Sequence, residues 1–334
     1  MIRNAAPLAT IVMYHVVRPA AAGPCQRLKG LDVSAFREQL AYIRAHYTMV
    51  GLFDLVTAAE GAQPLPPRPI VLSFDDGYAG HYTGVFPVLL DAGVTAAFFP
   101  VASALFDRRV LDVNKVQCIL AASDDVERLV EAVDAAIERE RPRLPTPAEY
   151  RTRWWTGSRW DPPEVVYVKR LLQHVLPESV RRPLVDELFR TLVSADETGF
   201  AGELYMDAVQ VGELHQAGMT IGAHGDRLVR LPTLPRDEQA REIDGALRVL
   251  DALGVPRRRF AYCYANGDHN DDSVELLRAR ECSIALTTQP DLARIVPEAM
   301  LTLPRIDTND LPVHAGDAPN EWTRRAAAAT DLAP

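Results

Sequence analysis

One segment limits what this chain can fold into more than any other. The apolar run Pro69–Phe74 stops abruptly at Asp75-Asp76-Gly77. A continuous apolar strand without polar alternation is one covered on both faces, as in a parallel sheet flanked by helices. Two adjacent carboxylates at its end repel each other, and burial raises that cost unless a cation is present. Gly77 permits a tight turn directly after them. In parallel α/β folds the strand ends face the ligand. The pair therefore suggests a metal or acid–base site, the bland alternative being a capping or turn aspartate.

The flanking chain keeps the same rhythm. Thr10–Val17 is β-branched and apolar and reads as a first strand. Ser34 caps a helix carrying Phe36, Leu40 and Ile43 at helical spacing. A helix around Phe86–Leu90, closed by Gly93, leads to a strand at Thr95–Val101. From about Ala102 to Met206 the patterns are mostly helical, with one apolar stripe at Val126, Leu129, Val130, Val133 and Ile137. Trp154, Trp155 and Trp160 follow, read as pinning this insertion or, alternatively, as stacking on a sugar face. Strands return at Met219–Ala223, Arg259–Tyr264, Ser283–Thr287 and Leu301–Arg305, with helices between. Residues 324–334 read as a flexible tail.

Of 334 residues, 48% are apolar, enough for a sizeable core. The net charge of -9 argues against a general nucleic-acid binder. The four cysteines are scattered, with no CxxC pair, which fits a reducing cytoplasm better than a structural zinc site or a disulfide framework. The N-terminus carries no secretory signal, and no stretch approaches the ~20 apolar residues of a membrane span.

His224 also sits just past a strand, and imidazole is a common ligand for zinc, nickel and cobalt. Here a resemblance becomes specific. Ser73-Phe74-Asp75-Asp76-Gly77-Tyr78 resembles the first motif of the polysaccharide deacetylases. Ile221–His224 is similar to their second motif and Phe260–Asp268 to their third, while Ile11–His15 and Leu303–Asp310 resemble segments that open and close such chains. The resemblance implies a distorted (β/α)7 barrel over residues 8–101 and 207–315, with a mainly helical insertion at 102–206. It also implies that metal-activated water removes an N-acyl group, acetyl above all, from a sugar or glycan precursor. Asp75 is then the general base. Asp76 and His224 bind a divalent metal, zinc by expectation. His314, the only late histidine, protonates the leaving amine. His15, Tyr78, Asn266 and Asp307 contact substrate.

The chain departs from the family's pattern in four places. The second metal histidine falls at Leu228, which cannot ligate; Asp226 and His269 are the substitutes in reach of the sequence. Ala265, not proline, precedes Asn266. The arginine of the third motif has no match, since Arg257-Arg258-Arg259 lies upstream. The surroundings of His314 differ from the family's. Two alternatives therefore stand beside the first reading: a related amide or ester hydrolase with reduced metal dependence, and a glycan-binding pseudoenzyme. Cys263 reads as a core residue.

Overall fold

The computed structural model describes residues 6–19, 25, 27–158, 161–255, 257 and 259–331; Trp160, Arg258 and the last three residues lie outside them. The described residues form two compact units. One takes in the described residues within Met1–Ala20, Gly30–Asp107 and Leu204–Pro334, the other those within Ala21–Lys29 and Arg108–Glu203.

Among the described residues, the ring of the larger unit is built on seven parallel strand segments: β1 (Leu8–Tyr14), β2 (Pro69–Asp76), β3 (Ala97–Pro100), β4 (Thr220–Ile221), β5 (Ala261–Cys263), β6 (Ile284–Leu286) and β7 (Ile306–Asp307), with a further short parallel strand, Thr48–Met49, pairing with the start of β2. β1 pairs with β2, β2 with β3, and β3 with β4. A parallel bridge between Ala223 and Tyr262 carries the chain of partners from β4 to β5. β5 pairs with β6, a bridge joins Leu286 to Leu303, and β7 returns to β1 at Val12 and Met13. The partners close into a ring, as a seven-stranded barrel requires. A short antiparallel strand, Ala293–Arg294, also pairs with the start of β1.

Side-chain alternation then decides what faces where. Ile70, Leu72 and Phe74 of β2 point outward and pack with Phe36, Leu40 and Ile43 of the helix Val33–His46. Val71 packs inward with Ile11, Phe99, Cys263, Ile284, Leu286 and Leu303. Every residue of β2 is buried, as its unbroken apolar run predicts. The same parity carries Ser73 and Asp75 to the inside. On the closing segment Leu303 is inward and Ile306 outward, so Arg305 faces the interior as well.

Two local readings are corrected. Asp32, not Ser34, caps the first long helix: its Oδ1 accepts from the Ser34 N–H at 2.7 Å. Residues 321–331 form a helix where a frayed tail is predicted from 324. Tyr42 and Tyr47 both reach the Thr323 hydroxyl, at 2.8 and 3.1 Å, and Ala326 is buried. An alanine-rich terminus has no periodicity that foretells such docking.

The smaller unit is helical. Its helix Val126–Arg139 starts at an Asp125 cap and buries Leu129, Val130, Val133, Ala136 and Ile137. Lys115, fully buried, is held by Asp186 at 2.6 Å and Glu197 at 2.9 Å. Arg153 and Arg170 both lie against the Trp154 ring, and Arg151 against Trp155.

Candidate functional site

Asp75, the next-to-last residue of β2, lies inside the ring, almost fully buried. Arg305 clasps it with two hydrogen bonds, Nη1 to Oδ1 at 2.9 Å and Nη2 to Oδ2 at 2.7 Å. The guanidinium is itself fixed: Nε donates to the Thr287 carbonyl at 2.8 Å, Nη1 to Ser73 Oγ at 3.1 Å and Nη2 to Cys263 Sγ at 3.0 Å. Burial alone would raise the Asp75 carboxyl, but the Arg305 charge, with help from His224 and His15, holds it well below the usual carboxylate range. An arginine thus reaches Asp75 from the closing segment of the ring. Its signal in the sequence is an arginine at the inward parity of an apolar strand, a position a charge occupies only with a partner.

A continuing strand would turn Asp76 away from Asp75. Instead Asp76 takes a left-handed backbone, φ 68°, followed by Gly77 at 75°. That conformation costs a non-glycine residue about 1–2 kcal/mol. A side chain on Gly77 would stand 2.9 Å from Pro100 Cβ, so only glycine fits the turn. The result places Asp76 Oδ1 3.5 Å from His224 Nε2. The Tyr78 hydroxyl donates to Asp76 Oδ2 at 3.0 Å. The His224 Nδ1–H donates to the Cys263 carbonyl at 2.8 Å, so Nε2 is the ring nitrogen that faces Asp76.

These two atoms fit a divalent ion. Tetrahedral zinc ligands at about 2.0–2.1 Å stand roughly 3.3 Å apart, close to what is found. Each ligand's remaining polar atom is already engaged, which orients the free one. Burial disfavours a charged His224, yet the electrostatics of Cys263 and a hydrogen bond to Asp76 lift its pKa well above that of free imidazole. A field that draws a proton there favours a cation. Neither predicted substitute completes the set. Asp226 Oδ1 is taken by Arg248 at 2.6 Å, and His269 is exposed, its ring against Tyr264. Leu228 is half-buried in a left-handed turn, φ 61°. The buried Glu242 shapes that loop by accepting from the Arg227 and Val229 N–H groups at 2.7 and 3.3 Å.

His15, at the end of β1, brings Nε2 to 4.0 Å from Asp75 Oδ2, with 43% of its side chain exposed. The other predicted site residues lie elsewhere or do something else. Tyr78 is buried, with its hydroxyl on Asp76. Asn266 is exposed in a left-handed turn and bonds Asp268 at 3.0 Å. Asp307 caps the turn that follows it, accepting from Asn309 N–H at 2.8 Å. His314 is exposed, and its backbone N–H bonds Asp317 at 3.0 Å.

Sequence reasoning overlooked His81. Its Nε2–H donates to the His15 carbonyl at 2.5 Å, and its Nδ1 is buried with no hydrogen-bond partner among the described residues. Burial lowers its pKa to about 4. The unfolded chain takes up this proton near pH 6.5 and the folded one only near 4. Stability is therefore whole above about 6.5 and falls as pH drops from there toward 4, by up to about 3 kcal/mol from this group. His81→Gln keeps a donor and removes the titration, so urea unfolding between pH 4 and 7.5 should show a shallower acid loss. An unchanged slope would exclude His81 as its source.

The family model described as polysaccharide deacetylase matches residues 62–144 and 193–284, just over half of the chain. Among curated proteins, the chain is 40% identical over 93 residues to the poly-beta-1,6-N-acetyl-D-glucosamine N-deacetylase of Escherichia coli K12; the match covers 28% of this chain and only 14% of that protein. Among solved structures it resembles the deacetylase PplD of Streptococcus pyogenes, with a TM-score of 0.55 and 15% identity over 92% of this chain and 94% of that one. IcaB from Ammonifex degensii gives 0.55 and 16% over 98% of both chains. At these identities the structural likeness establishes the fold. Among the described residues no helix is long and apolar enough to cross a membrane.

Proposed function

Because the chain belongs to the polysaccharide deacetylase family, we propose that it hydrolyses the N-acetyl amide of an amino-sugar polymer or its precursor. The observation that carries this reading is the meeting of an ionised, Arg305-clasped Asp75 with the oriented Asp76–His224 pair at one end of the ring. Asp76 and His224 hold a divalent ion, which when bound supplies Lewis acidity toward the amide carbonyl and toward water. Asp75 takes a proton from the attacking water. Its arginine clasp keeps it ionised and aimed at neutral pH, at the cost of a lowered basicity. His15, beside Asp75 and half-exposed, delivers a proton to the nitrogen as the C–N bond breaks. This role passes to it from His314, which lies exposed in a turn. Acetate and a free amine leave.

The name of the curated relatives points to β-1,6-linked N-acetylglucosamine as the polymer to try first. Oligomers with β-1,6 and β-1,4 linkages, incubated with the purified chain and zinc, should release acetate and primary amine in equal amounts, faster for β-1,6. Leucine at position 228 favours one second reading, a barrel that binds glycan without turnover. Oligomer binding with no acetate release would select it and sink the first.

A further inference from the structure

We propose that His81 is a positioning residue: it holds the backbone of His15 so that the His15 imidazole stays beside Asp75. The inference rests on the proton-delivering role given to His15 in the proposed function. His15 follows directly on Tyr14, the last residue of β1. Ile11 faces inward, and Val12 and Tyr14 face outward. His15 therefore takes the inward side, where Nε2 stands 4.0 Å from Asp75 Oδ2. That distance is too long for a hydrogen bond. The half-exposed ring makes no hydrogen bond to a described residue. Its aim depends on the peptide that carries it.

That peptide has left the barrel ladder. Tyr14 still pairs with Phe74, whereas Val17–Arg18 pairs with a different partner, Leu31–Asp32. Between them the His15 carbonyl accepts from His81 Nε2–H at 2.5 Å. His81 comes from the outer layer, fully buried, its ring edge-on to Phe74 and Tyr78 with centroids 5.3 and 5.6 Å away. An apolar ring would fill that space without stranding a polar atom. His81 instead leaves Nδ1 buried with no partner among the described residues, so the nitrogen that matters is the one on the carbonyl. The turn bearing His81 is seated on the same segment. His81–Val85 is a π-helical turn, a rare form that recurs at functional sites. A side chain on Gly80 would collide with the Val17 carbonyl oxygen, so glycine lets the turn close on the residues that follow His15.

The test varies the reach of the donor. His81→Phe keeps a ring and removes the donor. His81→Gln offers an amide N–H of similar reach, and His81→Asn one that is a carbon shorter. The substrates are β-1,6-linked N-acetylglucosamine oligomers with zinc. We expect His81→Phe and His81→Asn to lower kcat about 10–100-fold, the scale of a misplaced catalytic group, with KM little changed. His81→Gln should keep most of kcat. Added to His15→Ala, neither loss should appear again, because the group being aimed is gone. The loss should also shrink on para-nitrophenyl acetate, whose leaving group departs as a stable anion and needs no proton. A merely structural role would lower all of these alike. Unchanged kcat in His81→Phe and His81→Asn, beside a large loss in His15→Ala, overturns the inference and leaves the proposed function standing. Equal losses in His81→Asn and His81→Gln, or a full loss on top of His15→Ala, overturn it too. Full activity in His15→Ala removes the acid from position 15 and this inference with it. An unaltered chain that releases no acetate overturns the proposed function itself. If His81→Phe does not fold, the asparagine and glutamine variants decide alone.

Discussion

Asp75→Asn is expected to slow acetate release from N-acetylated oligomers by about 10²–10⁴-fold, the range a positioned general base contributes, with metal content unchanged. Asparagine preserves the shape of the side chain and can still meet Arg305 through its carbonyl oxygen, but it cannot accept the proton from water. Metal content holds because Asp76 and His224 are untouched. Acetate release and elemental analysis on the same sample separate the two roles. A variant that keeps full activity removes Asp75 from the mechanism, and one that loses its metal moves Asp75 into the ligand set.

Arg305→Met is expected to cost about 3–5 kcal/mol of folding stability, the loss typical when one member of a buried ion pair is removed. The cost arises less from the lost attraction than from the Asp75 carboxylate left without its counter-charge in a closed interior. Adding Asp75→Asn removes the stranded charge, so the double variant should lose less than the two single variants summed. The sign with pH follows from the lowered Asp75 pKa. The pair's contribution is fully present above the ordinary aspartate range and is lost only as pH falls through the lower folded value. Urea unfolding of the four proteins measures the coupling directly, and additive losses would mean that the pair is not a unit.

Both variants act on contacts that the sequence showed unevenly. The strand Pro69–Phe74 and its two terminal carboxylates were legible because a two-sided apolar strand has no polar alternation. The helix with Phe36, Leu40 and Ile43 was legible from its spacing, although its cap fell two residues earlier, where a local hydrogen bond chose Asp32 over Ser34. His224 was legible from its place after a strand. His314 was not a match by pattern, and the structure puts it in an exposed turn, whereas His15 stands at the carboxylate.

The amino-acid sequence by itself determined the seven-strand rhythm and the presence of two carboxylates and a histidine at strand ends. These follow from periodicities of two and of about 3.6 residues, which are local. Only the tertiary structure decided who partners whom. Closure of the ring brings Arg305 to Asp75 across 230 positions of chain and Cys263 across 188. A left-handed turn at Asp76 swings its carboxylate to His224. Asp226 is drawn off to Arg248. A buried charge takes whichever counter-charge packing brings within reach, and that choice depends on the closure of the barrel rather than on any window of sequence.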